Sequence, residues 1–150
     1  MKPEKIIFLD IDGVLNTDKH LRKFGRDYID QKLISILRTI VLQTKAEIVL
    51  SSTWRLDNYA KNLVKQALET KDLKFICCTP HIESTTKKRT YRSEEIKKWV
   101  EKHPSVKKYA VLDDRDDAGY GIEKSFFQTD PRIGLTYSIA EKVAEHLGKD

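Results

Sequence analysis

Residues 8–16, Phe8-Leu9-Asp10-Ile11-Asp12-Gly13-Val14-Leu15-Asn16, place two carboxylates one residue apart, directly after the apolar run Ile6-Ile7-Phe8-Leu9 and just before a glycine. A short apolar run bounded by a turn signal reads as a buried strand. Asp10 and Asp12 therefore stand where a strand leaves the core, a position in which acids need a reason to be together.

Outward from this stretch, strand-like and helix-like segments alternate. Residues 5–9 form the first expected strand. Leu33, Ile36, Leu37, Ile40 and Val41 repeat at helical spacing behind Asp30 as N-cap. Residues 47–50 read as a strand, and Ala60, Leu63, Val64, Ala67 and Leu68 as a helix capped by Asp57. Residues 73–78 read as a third strand, stopped by Thr79-Pro80. Ile96, Trp99 and Val100 mark a helix after Ser93, with Glu94 and Glu95 in its first turn. Residues 109–112 and 125–128 complete the strands. A last helix carries Ile139, Ala140, Val143, Ala144 and Leu147, between Thr136 and Gly148. This alternation predicts an α/β, Rossmann-like parallel sheet with helices on both faces. With 150 residues and no internal repeat or linker, residues 1–150 are expected to form a single domain.

Composition narrows the class. The chain is 39% hydrophobic and 34% charged, ordinary for a globular protein. No apolar run approaches a membrane span, and the charged N-terminus lacks the pattern of a signal peptide. Cys77 and Cys78 are adjacent in an apolar run, poor geometry for a disulfide, so a reduced, cytoplasmic protein without a membrane partner is expected. The net charge of +5 is modest, but residues 87–108 hold nine Lys or Arg against Glu94, Glu95 and Glu101. Such a run is either a solvated face or a surface for an anionic partner.

In a parallel sheet, ligands bind beyond the carboxyl ends of the strands. At those ends stand Asp10 and Asp12, then Ser51-Ser52-Thr53-Trp54-Arg55, then Asp113-Asp114-Arg115-Asp116-Asp117, with the basic run between the third and fourth strands. Carboxylates held this close repel, and a hard divalent cation relieves the conflict. Mg²⁺ suits one or two carboxylates plus a phosphate oxygen. With the metal, a carboxylate becomes a competent nucleophile toward phosphorus. Phosphoryl transfer also needs donors for the equatorial oxygens and an in-line acid or base. Ser51, the Ser52 N–H and a cation of the basic run offer the first, and Asp12 the second.

Asp10-Ile11-Asp12-Gly13-Val14, Ser51 and Asp113-Asp114, in this order, resemble the motifs of the haloacid-dehalogenase-like (HAD) phosphohydrolases. The resemblance implies Asp10 as nucleophile and Asp12 as acid and base. It implies Ser51 as phosphate ligand, and Asp10, the Asp12 carbonyl and Asp114 as Mg²⁺ ligands. Leu50-Ser51-Ser52-Thr53-Trp54-Arg55, residues 92–100 (RSEEIKKWV), Val111-Leu112-Asp113-Asp114 and residues 129–136 (TDPRIGLT) look more narrowly like the small HAD domains of RNA-repair proteins and of polynucleotide kinase–phosphatases. In that match Arg92 takes the place of the cation of the third motif, with Lys88 and Lys87 as competitors.

Other readings stand beside these. Ser51 and Ser52 either bind phosphate or cap the following turn. Arg55 and Lys88 are phosphate-binding candidates, Arg55 equally a partner for an acid. Trp54 and Trp99 read as packing, Asp116 and Asp117 as loop, and Thr129 and Asp130 as neighbours of the site. His20, His81, His103 and His146 are scattered and suggest no metal centre. An EF-hand is excluded because its twelfth position would be Leu21. A receiver domain is disfavoured because the third strand ends without an acid.

No segment is long enough for the cap domain that HAD enzymes close over small substrates. An open site suits nucleic-acid ends or nucleotides, with residues 20–28 as a flap carrying Arg22, Lys23 and Arg26. Phe24, Tyr28 and Tyr91 are placed to stack on a base or to pack. The expected function is a Mg²⁺-dependent phosphatase acting through an aspartyl-phosphate. A small-molecule phosphomonoesterase and a non-catalytic phosphate- or nucleic-acid-binding module are the alternatives.

Overall fold

The computed structural model describes residues 2–82 and 90–149. Five parallel strands, β1 (Lys5–Leu9), β2 (Glu47–Leu50), β3 (Phe75–Cys78), β4 (Lys108–Asp113) and β5 (Phe126–Gln128), form one sheet in the order β3-β2-β1-β4-β5. The helices are α1 (Asp18–Phe24), α2 (Gln31–Thr44), α3 (Asn58–Glu69), α4 (Arg92–Glu101) and α5 (Tyr137–Leu147), with short 3₁₀ turns after β2 and β4. This is the expected Rossmann-like architecture.

Strand alternation divides the core. Ile7, Leu9, Ile48, Leu50, Ala110 and Leu112 face one side, packed by α2, α3 and α5 through Leu33, Leu37, Val64, Leu68 and Val143. Ile6, Phe8, Val49 and Val111 face the other, covered by Ile96 and Trp99 of α4 and by Ala118. The crossovers through α2 and α3 step the chain toward β3 on one face. The crossover through α4 returns it past β1 on the other face, as right-handed connections require. The direction of travel thus reverses between β1 and β4, the place where such sheets bind ligands.

Asp30, Asp57 and Thr136 cap α2, α3 and α5 through side-chain oxygens that accept from Lys32, Ala60 and Ile139 N–H. Several boundaries differ from expectation; β4, for one, runs from Lys108 to Asp113, one residue beyond the expected strand at each end. Leu73 is not in β3: Asp72 turns left-handed (φ 58°), and the Leu73 N–H closes α3 on the Leu68 carbonyl while its side chain plugs the core. α4 begins at Arg92, one residue before Ser93, because its first N–H is received at 2.9 Å by the Asp117 carboxylate. β5 begins at Phe126, since Glu123–Ser125 is a 3₁₀ turn.

The expected flap, residues 20–28, overlaps α1, which begins at Asp18, buries no residue and so shows no apolar periodicity. Its ends were nevertheless written in the chain: Thr17 caps it, and Gly25 (φ 100°) ends it on the Leu21 carbonyl. Otherwise the connections from β1 to α2 and from β2 to β3 hold only a 3₁₀ turn and α3, so the described residues include no sizeable cap domain. No helix among them is long and apolar enough to cross a membrane.

Phe8 joins the layers. It is fully buried and meets Trp99 and Tyr109 edge-on, at ring-centroid distances of 5.4 and 5.6 Å. Phe8→Ala is expected to lower the unfolding free energy by about 3–5 kcal/mol, measured by urea denaturation. An unchanged midpoint would show that α4 is held by its polar contacts alone.

Candidate active site

The residue following each of β1, β2, β3 and β5 donates its N–H to the neighbouring strand. Asp10 donates to the Leu112 carbonyl, Ser51 to Leu9, Thr79 to Leu50 and Thr129 to Asp113, at 2.8–3.0 Å. The sheet ladder therefore runs one residue into the site, and the Asp10 and Ser51 side chains inherit its rigidity.

Asp10, Asp113 and Asp114 come together, each offering a carboxylate oxygen within 4.8 Å of the others. Asp10 and Asp113 are buried. Burial and the neighbouring Asp113 carboxylate hold Asp10 well above the usual carboxylate range, although Arg92 pulls the other way. Asp114 is pushed up to about 6, by burial first and by Asp113 second. Gly13 (φ 80°) makes room for Asp114, since a Cβ there would stand 2.5 Å from its Oδ2.

The buried Arg92 guanidinium donates to Asp113 Oδ2 at 2.7 Å and lies 3.3 Å from Asp10 Oδ1. Burial would lower its pKa, but Asp10 and Asp113 together raise it further. Lys88, the competing cation and a phosphate-binding candidate, lies with Lys87 and Arg89 outside the described residues.

Asp12 is exposed, and its side chain is not in the carboxylate cluster. Each of its oxygens is held: Asn16 Nδ2 donates to Oδ1 at 3.0 Å and Trp54 Nε1 to Oδ2 at 3.1 Å. Asn16 also accepts from Gly13 N–H, and Thr129 donates to the Gly13 carbonyl at 2.7 Å, which fastens the loop to β5. The sequence by itself assigns no role to Asn16, and it reads Trp54 as packing and Thr129 as a neighbour of the site. The signal was a polar residue four places after Asp12, but the partners of Trp54 and Thr129 are 42 and 116 residues away.

The remaining candidates separate. Ser51 Oγ is buried and has no hydrogen-bond partner among the described residues, which leaves its donor available. Ser52 Oγ accepts from Trp54 N–H, the capping alternative. Arg55, considered for phosphate, is buried and donates to the Thr79, Ser52 and Pro80 carbonyls and to Glu95 Oε2, at 2.8–3.2 Å. Four of its five N–H donors are thus directed at the protein. Asp117, read as loop, caps α4 and pairs with Arg115, and Asp116 accepts from Gln128. Asp130 pairs with Arg132 at the surface. Phe24 and Tyr28 stack on each other at 4.6 Å, and Tyr91 meets Tyr120 edge-on.

The carboxylate cluster fits a hard cation. Three acids share a partly buried space with one guanidinium, and burial keeps two of them from ionising freely. A divalent ion on oxygen ligands removes that cost. The Arg55–Glu95 pair, by contrast, is structural. Arg55→Ala would leave the buried Glu95 without its cation, at a cost of about 3–5 kcal/mol. Urea denaturation should show this loss largely recovered when both residues are changed to Met.

Residues 6–140, from β1 into α5, match the family described as the HAD domain in Swiss Army Knife RNA repair proteins. No curated protein and no solved structure matches the chain. With nine-tenths of its length matched and its acids at the β1 and β4 ends, the chain belongs to this RNA-repair-related family of HAD domains.

Proposed function

We propose that this chain is a cytoplasmic, Mg²⁺-dependent phosphatase that acts through an aspartyl-phosphate on Asp10, within one domain, on phosphorylated nucleic-acid ends or nucleotides. The observation that carries the reading is the convergence of Asp10, Asp113, Asp114 and Arg92, next to an Asp12 held by two donors. Membership in an RNA-repair-related family and the lack of a cap among the described residues support the substrate class.

Asp10 Oδ attacks phosphorus, and the bond from phosphorus to the ester oxygen breaks. Asp12 delivers a proton to that oxygen as the alcohol leaves. Asp12 then accepts a proton from water, whose oxygen attacks the phosphorus of the aspartyl-phosphate. Inorganic phosphate departs and Asp10 is regenerated. Arg92 orients Asp10 and balances its charge, while Ser51 Oγ and the Ser52 N–H donate to the phosphate oxygens. Asp10, the Asp12 carbonyl and Asp114 would hold Mg²⁺, which would supply the positive charge that lets two anions approach. Asp113, whose two oxygens accept from Arg92 and from the Arg115 N–H, positions Arg92.

The test is phosphate release, with Mg²⁺, from 3′- and 5′-phosphorylated oligonucleotides, mononucleotides and sugar phosphates. Asp10→Asn should abolish turnover with the fold intact, and Asp12→Asn should slow it by about 10²–10⁴-fold. Turnover by Asp10→Asn at the unaltered rate removes the nucleophile assignment. Sugar phosphates turned over as well as oligonucleotides make the protein a small-molecule phosphatase.

Metal binding is read independently by thermal unfolding. Mg²⁺ should raise the Tm of the unaltered chain through linkage, and Asp114→Ala should need a higher Mg²⁺ concentration for the same rise. A Tm insensitive to Mg²⁺ counts against the site, and a shift lost only in Asp113→Ala exchanges the roles of the two acids.

A further inference from the structure

Asp12 forms part of the wall of a cleft of about 460 Å³. The other walls are Leu21 of α1, Arg26 and Asp27 after it, Thr53 and Trp54 of the 3₁₀ turn, and Asp57 and Ala60 at the start of α3. None of Asp10, Ser51, Arg92, Asp113 or Asp114 lines it, so the cleft lies to the Asp12 side of the phosphate position.

That side has a definite meaning in the proposed reaction. The group that protonates the ester oxygen must be within hydrogen-bond reach of it. The leaving group therefore extends from the phosphate toward Asp12. Both Asp12 oxygens are fixed from the protein, by Asn16 and by Trp54, and Trp54 itself lines the cleft. The direction of departure is consequently set by the fold.

We infer that this cleft is the leaving-group subsite, and that it accepts one uncharged, hydroxyl-bearing nucleoside while rejecting a leaving group that places a second phosphate beside Asp12. The inference rests on the proposed phosphatase reading. Two properties carry it. The volume lies within the roughly 300–1,000 Å³ of small-molecule pockets, and the Leu21, Ala60 and Trp54 walls suit a sugar or base face. The charge is the second property. Asp12, Asp27 and Asp57 give three carboxylates, and Arg26 is the one cation among the described lining residues. Asp27 accepts from Tyr59 Oη at 3.4 Å and Asp57 accepts from the Ala60 N–H. A net negative wall repels a phosphate and tolerates a neutral sugar. Monoesters are thereby separated from diphosphates at a surface the phosphate-binding residues do not form.

The test has a binding arm and a kinetic arm. In the first, adenosine, which has no phosphate, is titrated into the protein with Mg²⁺, and the Trp54 indole N–H resonance is followed by NMR. A saturable shift at millimolar adenosine that is lost in Leu21→Trp is expected, and no shift in the unaltered chain overturns the subsite. This arm holds even if no donor is hydrolysed, the outcome that would defeat the phosphatase reading instead. In the second arm, kcat/KM is compared for adenosine monophosphate, adenosine diphosphate and glycerol phosphate. Leu21→Trp should lower the ratio of adenosine monophosphate to glycerol phosphate by about tenfold or more, the effect of losing a pocket contact. Asp27→Asn should narrow the preference for monophosphate over diphosphate by about two- to tenfold, the size of one partly screened charge. Ratios unmoved by both substitutions overturn the inference.

Discussion

Arg92 holds the site together by placing one buried guanidinium between the carboxylates of Asp10 and Asp113. A buried charge is tolerated only when paired and hydrogen-bonded, so each of the three fixes the other two. Asp10 follows β1, Asp113 ends β4 and Arg92 opens α4, and the triad therefore locks two central strands to the one helix covering their far face. The position is unfavourable for a cation, since the positive end of a helix dipole lies at its N-terminus. Asp117 on the first N–H, and Glu94 and Glu95 in the first turn, offset this.

The same turn of α4 carries the second tie. Glu95, three residues after Arg92, receives Arg55 from the turn beyond β2 and the Ile82 N–H from the segment after β3. Arg55 in turn binds the carbonyls of Thr79 and Pro80. One helical turn is thus joined to the exits of β1, β2, β3 and β4. Rigid placement of reacting groups is the main catalytic resource in phosphoryl transfer, and in the proposed reaction it would come from the Arg92 triad and the Arg55–Glu95 pair, both on one face of α4.

Asp12 is governed differently. It stands outside the buried charges, exposed, in a loop fastened by Asn16, Trp54 and Thr129. In the proposed reaction the separation has a use: an acid that gains and loses a proton needs water and freedom from a strong cation, whereas a nucleophile needs fixed placement. The two carboxylates, one residue apart in the chain, have opposite environments: Asp10 is buried beside Asp113 and Arg92, and Asp12 is exposed and held by Asn16 and Trp54.

Much of this was legible in the chain. The apolar run into Asp10 and Asp12, the alternation of strand and helix, the caps Asp30, Asp57 and Thr136, and the acids of residues 113–114 depend on neighbours close in sequence, so pattern and propensity reach them. The motif order disclosed the family for the same reason. Residues 92–95 offered Arg92 as a candidate cation, beside Lys88 and Lys87, but not its partners. Whether Arg55 faced phosphate or a buried acid was decided by Glu95, forty residues away. Whether Trp54 merely packed was decided by where its N–H met Asp12, and α1 stayed hidden because a helix that buries nothing leaves no periodic trace. Local sequence determined the elements and the residue types at their ends. The tertiary structure alone decided which buried charges pair, because a buried group takes whatever partner the packing brings within 3 Å or so, regardless of its distance along the chain.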